Sequence, residues 1–286
     1  DYYYVRAWQE LDRMGWPLPS SEDLFPPKEY ITETHSLNIN QRIHWNRYLI
    51  LSDLSLRTNA EAELLTVQRL MPYHPEIYFE LSRFYAQNQE YRKSQIYASY
   101  FQNSYSNFKN YKNVWKKLYP DYYFSVIKDL GEQKSVDPYL VLALIKAESA
   151  FDPNIISPVG AVGLMQIMPS TAVWMIETGM STVVNYTDWD DSFLIDPKIN
   201  IELGITYFKY LIDYFNQKIC PAIAAYNAGP GRLNGWMRGK NQNNPDYFIE
   251  TIPLAETKNY IKKVINNYFL YSMIYTGQFT MSPCIF

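Results

Sequence analysis

The feature that most constrains the fold of this chain is an apolar stretch, YLVLALIKAES, which follows Asp137 and Pro138 and carries a single carboxylate next to its end. Asp137 can cap a helix here, and Pro138 suits the first helical position, where no backbone donor is needed. Leu140, Leu144 and Glu148 recur every four residues, so they share one helix face. The sequence therefore predicts a helix whose apolar stripe is continued by Glu148 at its C-terminal end.

Two readings of Glu148 follow from this position. Poor solvation and the negative end of the helix dipole both disfavour the ionised carboxylate, so both raise its pKa. A raised pKa suits a general acid that works near neutral pH. Long carboxylates also escape burial easily, so the alternative is a glutamate at a helix end that turns to solvent.

Further motifs follow this helix. Gly160 and Gly163 permit backbone angles or close approaches that a side chain would block, although a G-A-V-G segment can also be an ordinary interhelical turn. Pro169 opens a second predicted helix, which ends at Gly179. The stretch AIAAYNAGPGR, residues 222–232, predicts a tightly packed helix of small residues that presents a tyrosine and an asparagine before it stops.

Four ordered segments together resemble one family. They are A-E-S-A-F, S-P-V-G-A-V-G-L-M-Q-I-M-P-S-T-A, A-Y-N-A-G-P-G and I-P-L-A-E-T-K-N-Y. In this order they closely resemble the soluble lytic transglycosylases of bacterial cell-wall turnover, over roughly Tyr119 to Tyr275. The resemblance implies a mainly α chain, in which a helical superhelix or repeat precedes a lysozyme-like, α-rich catalytic domain.

The resemblance also implies roles for single residues. Glu148 matches the catalytic acid, and Tyr226 matches the tyrosine that hydrogen-bonds this carboxylate. Substrate-binding or supporting positions match Ser157, Gln166, Met168, Asn227, Glu256 and Tyr260. Lys258 departs from the pattern, because many relatives have arginine there, and lysine keeps the charge but loses the planar fork.

The chemistry implied by the family is cleavage of the β-1,4 bond between N-acetylmuramic acid and N-acetylglucosamine. Ordinary glycosidases use two carboxylates, whereas this family needs only one. Glu148 first protonates the leaving oxygen and then takes the proton of the C6 hydroxyl, which closes onto C1 to give a 1,6-anhydro sugar. No cofactor or metal is implied, and the expected partner is the peptidoglycan glycan strand.

A second carboxylate is an open alternative. Asp188, Asp190 and Asp191 surround a tryptophan in YTDWDDSF. They could activate water, which would make the chain a hydrolase like goose-type lysozyme, or they could ligate a cation. A solvated acidic loop is the simpler reading, because the glycine and terminal glutamate of a calcium loop are absent.

A further alternative for the whole chain is a non-catalytic peptidoglycan-binding scaffold that works through the helical repeats.

The composition is compatible with an exported enzyme. The chain has 286 residues, 47% of them hydrophobic, and a formal net charge of −3, which gives no general reason to expect nucleic acid as a partner. No apolar run is long enough for a membrane span. We expect a periplasmic or cell-envelope location, with a leader removed or with a start inside a longer protein. Two cysteines, Cys220 and Cys284, permit one bridge, and three scattered histidines do not predict a metal site.

The first third of the chain has its own pattern. WNRYLILSDLSL and AEAELLTVQRLM predict one pair of amphipathic helices, and EIYFELSRFYAQNQ and YRKSQIYASYFQNS predict another. Each pair spans about 30 residues, close to the ~34-residue helical-hairpin repeat, so both a short α-solenoid and a plain bundle fit. With Tyr119-Pro120 as the junction, we predict a helical region over residues 1–118, with cell-wall proteins as potential partners, and a catalytic domain over residues 119–286.

Overall fold

The computed structural model describes residues 2–15, 21–24, 37–238 and 244–278. These residues contain no β-strand, only isolated bridges, so the predicted mainly α class is confirmed. The α-helices of this part are α1 (Tyr2–Arg13), α2 (Ser21–Leu24), α3 (Ile39–Asp53), α4 (Arg57–Leu70), α5 (Pro75–Gln87), α6 (Tyr91–Ser104), α7 (Lys112–Leu118), α8 (Phe124–Lys134), α9 (Pro138–Glu148), α10 (Pro169–Glu177), α11 (Pro197–Tyr214), α12 (Ile219–Ala228), α13 (Pro230–Met237), α14 (Pro245–Glu250) and α15 (Ala255–Thr276). Short 3₁₀ helices cover Ser106–Asn110, Tyr186–Asp188 and Asp191–Ile195.

The backbone contacts divide the chain into two compact units. One contains α2–α7 and ends at Pro120, next to the predicted junction. The other contains α8–α15 together with α1, which packs on α15. The division into residues 1–118 and 119–286 stays a prediction about domains, and it differs from these compact units in the placement of α1.

The unit of α2–α7 is built from two helical hairpins, α3 with α4 and α5 with α6. All four helices match the predicted ones. Aromatic and aliphatic side chains fill the core between them, among them Tyr48, Leu64, Leu81, Phe84 and Phe101, each at most 2% exposed. This burial is the stabilising term for helices that would be marginal alone. The choice between a solenoid and a bundle stays open.

Helix α9 is the centre of the other unit. It begins as predicted, because Asp137 accepts a hydrogen bond from the backbone N–H of Tyr139 and Pro138 takes the first position. The hydroxyl of Tyr268 in α15 donates to the second oxygen of Asp137 at 2.7 Å. Every residue from Leu140 to Ile145 is buried, so the buried surface of the helix is wider than the single apolar stripe that the sequence predicts. The helix is covered on all sides because α8 and α15 both pack against it.

The loop that joins α9 to α10 is tied to α11 by one side chain. Asn200 is buried, donates to the carbonyls of Val162 and Leu194 at 2.9 and 2.8 Å, and accepts from the N–H of Met165 at 2.7 Å. Gly163 lies against this amide with a φ of +80°, and a Cβ there would come within 2.5 Å of the Leu194 carbonyl. A side chain at residue 163 is therefore excluded by both conformation and space.

Replacement of this asparagine tests how much the loop depends on it. In Asn200→Ala, the Leu194 carbonyl and the buried N–H of Met165 lose their bond to this side chain, and the Val162 carbonyl keeps only the bond from the N–H of Ile167 at 3.0 Å. A buried group left without a partner costs about 1–3 kcal/mol. We expect the free energy of unfolding, measured by urea titration, to fall by at least about 2 kcal/mol. Asn259→Ala is the control, since Asn259 is an exposed helical asparagine of the same unit. Equal losses in both variants would contradict the anchoring role.

Candidate active site

Glu148 is the last residue of α9, and its carboxylate is half-buried against α15. The hydroxyl of Tyr260, a buried residue of α15, donates to Oε1 of Glu148 at 2.5 Å. Burial raises the pKa of Glu148 to about 7. The bond from Tyr260 and the positive charge of Lys263 oppose this rise in pKa, while the negative charge of Glu256 adds to it. The carboxyl is thus held near the midpoint of its titration at neutral pH.

Lys263 was not singled out in the sequence, yet it belongs to this site. Its ammonium donates to the carbonyl of Ala147 at 2.8 Å, in the last turn of α9. A lysine there satisfies a carbonyl that the helix leaves without a partner and lies favourably at the negative end of the dipole. Burial lowers the pKa of Lys263, and the Glu148 charge partly restores it. The signal in the sequence was its position three residues after Tyr260, on the same helix face.

The expectation for Tyr226 is wrong in its geometry. Its hydroxyl donates to the carbonyl of Met165 at 2.8 Å, and the tyrosine that bonds the carboxylate is Tyr260. The reason is packing: the ring of Tyr226 is held against Tyr207 and Phe208 of α11, with centroids at 5.6 and 5.8 Å, which directs the hydroxyl to the loop. Burial raises the pKa of Tyr226, and the negative charge of the nearby Glu148 carboxylate raises it further.

Ser157 and Gln166 shape the loop between α9 and α10. The hydroxyl oxygen of Ser157 accepts from the N–H of Ala161 at 2.9 Å. Gln166 has a φ of +50°, and its side-chain amide donates to the carbonyls of Ile155 and Gly163 at 3.1 and 2.9 Å. Both side chains are half-buried and bonded inside the loop, so their sugar contacts stay predictions.

The other predicted positions come from three separate helices. Met168 is exposed at the start of α10, and Glu256 is exposed in the first turn of α15. Asn227 near the end of α12 accepts a hydrogen bond from the hydroxyl of Thr257 at 2.7 Å, which joins α12 to α15. Lys258 donates to the carbonyl of Glu250 at 2.9 Å and pairs with its carboxylate.

The acidic loop forms its own hydrogen bonds. Hydrogen bonds from the side chain and from the backbone N–H of Ser192 lower the pKa of Asp190, and the indole of Trp189 donates to Asp191 at 3.0 Å. All three aspartates of the loop are exposed. In the described ranges no group of three or more histidine, cysteine, aspartate or glutamate side chains could hold a metal ion. Of the cysteines, Cys284 lies outside the described residues.

The raised pKa of Glu148 predicts a dependence of stability on pH. The unfolded carboxyl titrates near 4.5 and the folded one near 7, so the folded state holds the extra proton between these values. The contribution of Glu148 to stability therefore falls as pH rises through this window. We expect Glu148→Gln to be the more stable protein at pH 8, by up to about 3 kcal/mol, and to match the parent below pH 4.5. Chemical denaturation at a series of pH values measures this, and a difference that does not change with pH would contradict it.

Comparison with known proteins gives a consistent result. A family model described as the Transglycosylase SLT domain matches residues 125–249. The soluble lytic murein transglycosylase of Escherichia coli K12 is 36% identical over 167 residues, which is 56% of this chain and 25% of that protein. The membrane-bound lytic murein transglycosylase C of Edwardsiella ictaluri is 31% identical over 166 residues, 50% of this chain and 45% of that one.

Solved structures extend the likeness. The crystal structure of the 70 kDa soluble lytic transglycosylase from Escherichia coli matches with a TM-score of 0.72 and 25% identity, over 99% of this chain and 42% of that chain. The chain spans about a quarter of the length of the soluble relatives it matches. No described helix is both long and apolar enough to cross a membrane. Residues 125–249 thus match the Transglycosylase SLT domain, and this part of the chain is similar to the lytic murein transglycosylases.

Proposed function

We propose that this chain is a peptidoglycan lytic transglycosylase in which Glu148 is the catalytic residue. The observation that carries the proposal is one half-buried carboxyl, at the end of a buried helix, with its pKa raised to about 7 and a tyrosine hydroxyl on it. It lies inside the segment that matches the SLT domain, and the curated relatives are named as murein transglycosylases. The proposed substrate is the glycan strand, and the proposed location is the periplasm or cell envelope.

In the first step Glu148 is protonated and gives its proton to the oxygen of the β-1,4 bond. The bond between C1 of N-acetylmuramic acid and this oxygen breaks, and the oxygen leaves as the 4-hydroxyl of N-acetylglucosamine. The N-acetyl group of the muramic acid can stabilise the cationic centre at C1, as in glycosidases that use substrate assistance. Burial favours this step because it keeps the proton on Glu148 near neutral pH.

In the second step Glu148 is ionised and acts as a base. It takes the proton of the C6 hydroxyl of the muramic acid, whose oxygen bonds to C1 and forms the 1,6-anhydro ring. The proton returns to Glu148, and no water is consumed. Tyr260 and Lys263 favour the ionised carboxylate that exists between the two steps. One residue thus serves both steps because opposing effects keep its pKa near 7.

The remaining predicted residues have supporting roles in this proposal. Ser157, Gln166 and Tyr226 hold the loop that follows the catalytic helix, and Asn227 joins α12 to α15. The exposed side chains of Met168 and Glu256 border the glycan in this proposal. We also propose cell-wall proteins as partners of the helical region.

Replacement of the acid and the mass of the product test this function together. Glu148→Gln keeps the shape but cannot donate or accept the proton, so we expect turnover of purified peptidoglycan to fall by about 10²–10⁴-fold or more, with glycan binding retained. Mass spectrometry of the parent's products should show 1,6-anhydromuramic ends. Glu177→Gln, at an exposed glutamate that ends α10, is a control for loss of a carboxylate without loss of the acid. Unchanged turnover in Glu148→Gln would refute the role of this residue.

A muramidase that hydrolyses the same bond is the rival within the same substrate class. Its products carry one additional water, so a reducing end in place of the anhydro end would sink the transglycosylase proposal and leave Glu148 as the acid of a hydrolase. A scaffold that only binds peptidoglycan would release no soluble fragment at all.

The charge of Lys263 makes a separate prediction about pH. The first step needs protonated Glu148, so kcat/KM should fall as pH rises through the pKa near 7. Lys263 lowers this pKa. Lys263→Met removes the charge, so the alkaline limb of the pH profile should move to higher pH, while Lys263→Arg should leave it in place. The exposed Lys128→Met is the control. A reduced rate with an unmoved limb would show that Lys263 acts only as a helix cap.

A further inference from the structure

Three helices of the unit that contains the candidate active site meet at a cluster of polar side chains. Its centre is Glu250, the last residue of α14, whose carboxylate accepts from Lys262 at 2.6 Å and from Lys258 at 3.2 Å, both in α15. The hydroxyl of Tyr3 in α1 donates to the same carboxylate, and Lys262 donates to that hydroxyl at 3.0 Å. One carboxylate therefore joins α1, α14 and α15.

Helix α1 is fixed against α14 by a second carboxylate, one turn before Glu250. Asp246 accepts from Nε and from a terminal nitrogen of the Arg6 guanidinium at 3.0 and 3.2 Å, and from the hydroxyl of Tyr2 at 2.6 Å. Tyr2 and Trp8 are buried, so apolar packing holds α1 as well. The hydroxyl of Tyr3 thus reaches Glu250 from a helix that is itself anchored.

The partners of Glu250 hold it as an anion. Hydrogen bonds from Lys262 and Tyr3 lower the pKa of Glu250 to about 2. The cluster therefore keeps its charge over the whole pH range in which Glu148 titrates. A single exposed ion pair contributes little, but this carboxylate has three partners, and its two lysines are half-buried.

Helix α15 carries the partners of Glu250 and the partner of Glu148 on opposite sides. Successive residues of an α-helix are rotated by about 100°, so Lys258 and Lys262 each lie about 160° around the helix from Tyr260. The hydroxyl of Tyr260 donates to Glu148 at 2.5 Å. A rotation of α15 that draws the lysines away from Glu250 also moves this hydroxyl relative to the carboxylate of Glu148.

Other bonds hold the same part of α15, so a change at Glu250 should loosen it without unfolding it. The buried Thr257 donates to Asn227 of α12 at 2.7 Å, and Lys263 donates to the carbonyl of Ala147 at 2.8 Å. Neither bond involves α1 or α14. The Glu250 cluster is the tie that reaches α15 from those two helices on the side away from Glu148.

The groups that face the Glu148 carboxyl come from two helices. Helix α15 contributes Tyr260 and Lys263, which favour the ionised form, and Glu256, which opposes it. Helix α12 contributes Tyr226, whose pKa the Glu148 charge raises. A movement of α15 therefore changes the protonation of Glu148 mainly through Tyr260, which is in direct contact with it.

We propose that Glu250 is a positioning residue, which sets the rotation of α15 so that the hydroxyl of Tyr260 stays on the carboxylate of Glu148. Helix α1 takes part through Tyr3. Glu250 touches no reacting atom and acts through Tyr260. The inference deepens the proposed function and rests on it for the catalytic role of Glu148.

The titration of Glu148 in Glu250→Gln tests this inference by the direction of the change. Loss of the anion frees its two lysines, so the bond from Tyr260 weakens, and that bond favours ionised Glu148. We expect the pKa of Glu148 to rise by about 0.5, a fraction of the one unit or more that complete loss of a hydrogen bond to a charged group would give. Removal of a negative charge acting directly on Glu148 would lower its pKa instead. The measurement is carbon NMR of the full chain with labelled glutamate, and the Glu148 signal is the one absent from Glu148→Gln.

Two variants serve as comparisons. Tyr3→Phe keeps the ring and removes only the hydroxyl, so it should give a smaller rise in the pKa of Glu148. Asp213→Asn should give none, because Asp213 is likewise an exposed carboxylate that accepts from a lysine, Lys209, but it lies in α11. Thermal melting of each variant is measured alongside.

A double variant tests whether the effect passes through Tyr260. In Tyr260→Phe the hydroxyl is already absent, so Glu250→Gln added to this background should raise the pKa of Glu148 no further. Kinetics on peptidoglycan give a second readout: the alkaline limb of kcat/KM in Glu250→Gln should move to higher pH with the pKa. A purely structural role would lower the melting temperature and the rate without moving this limb.

The possible results separate the inference from the proposed function. A pKa of Glu148 that falls or stays in place in Glu250→Gln overturns the inference, as does an equal rise in the Tyr260→Phe background. An unmoved pKa in Tyr3→Phe contradicts the part assigned to α1. A rise in Glu250→Gln that disappears in the Tyr260→Phe background supports the positioning role. If the NMR result holds but the parent releases no anhydro product, the proposed function fails and the positioning of Tyr260 by Glu250 stands.

Discussion

Helix α9 has to be covered by protein on every side, and the arrangement of the unit that contains α8–α15 follows from this constraint. Its residues from Leu140 to Ile145 are all buried, so exposure of any face would cost the transfer free energy of several large side chains. Helices α8 and α15 supply the cover. Because the helix ends inside this packing, its last residue, Glu148, cannot turn freely to water. Burial of the carboxyl is thus a consequence of how the core is built.

The same packing supplies the groups that moderate the effect. Tyr260 and Lys263 lie on one face of α15, one turn apart, and meet the end of α9 through a hydrogen bond to the carboxylate and one to the Ala147 carbonyl. Without them the buried carboxyl would hold its proton more tightly and would be a poor base. With a stronger cation it would ionise too early and be a poor acid. Because its pKa is raised by burial, Glu148 lowers the stability of the fold at neutral pH. This cost is expected where the pKa of a group is adjusted for proton transfer.

Local signals in the sequence are sufficient for some features and not for others. The start of α9 was predictable, because Asp137 and Pro138 act within two residues of the helix they begin. The four helices of the two hairpins follow from their periodicity. The partner of the carboxylate was not predictable from the residues alone: Tyr226 and Tyr260 are both tyrosines on apolar helices, and only the packing of Tyr226 on α11 decides which hydroxyl reaches Glu148.

The bonds of Asn200 and the exposure of the tyrosines along α11 could not be predicted for a related reason. Asn200 lies in the first turn of α11, where an asparagine reads as an ordinary polar residue, and its three bonds go to partners between 6 and 38 residues away. Tyr207, Tyr210 and Tyr214 have helical spacing, which is also the spacing of core residues. Whether such a stripe is buried or exposed depends on how α10 and α13 pack over α11, and the sequence of α11 alone does not determine this.

In the proposed mechanism one carboxylate serves both steps, and the distribution of polar and apolar groups around Glu148 suits this role. Glu148 must lose water to keep its pKa near 7, and the sugar at the cleaved bond must lose water to reach it. Contacts with sugars far from that bond can compensate for this desolvation, since binding energy gained at a distance can hold the reacting centre in place.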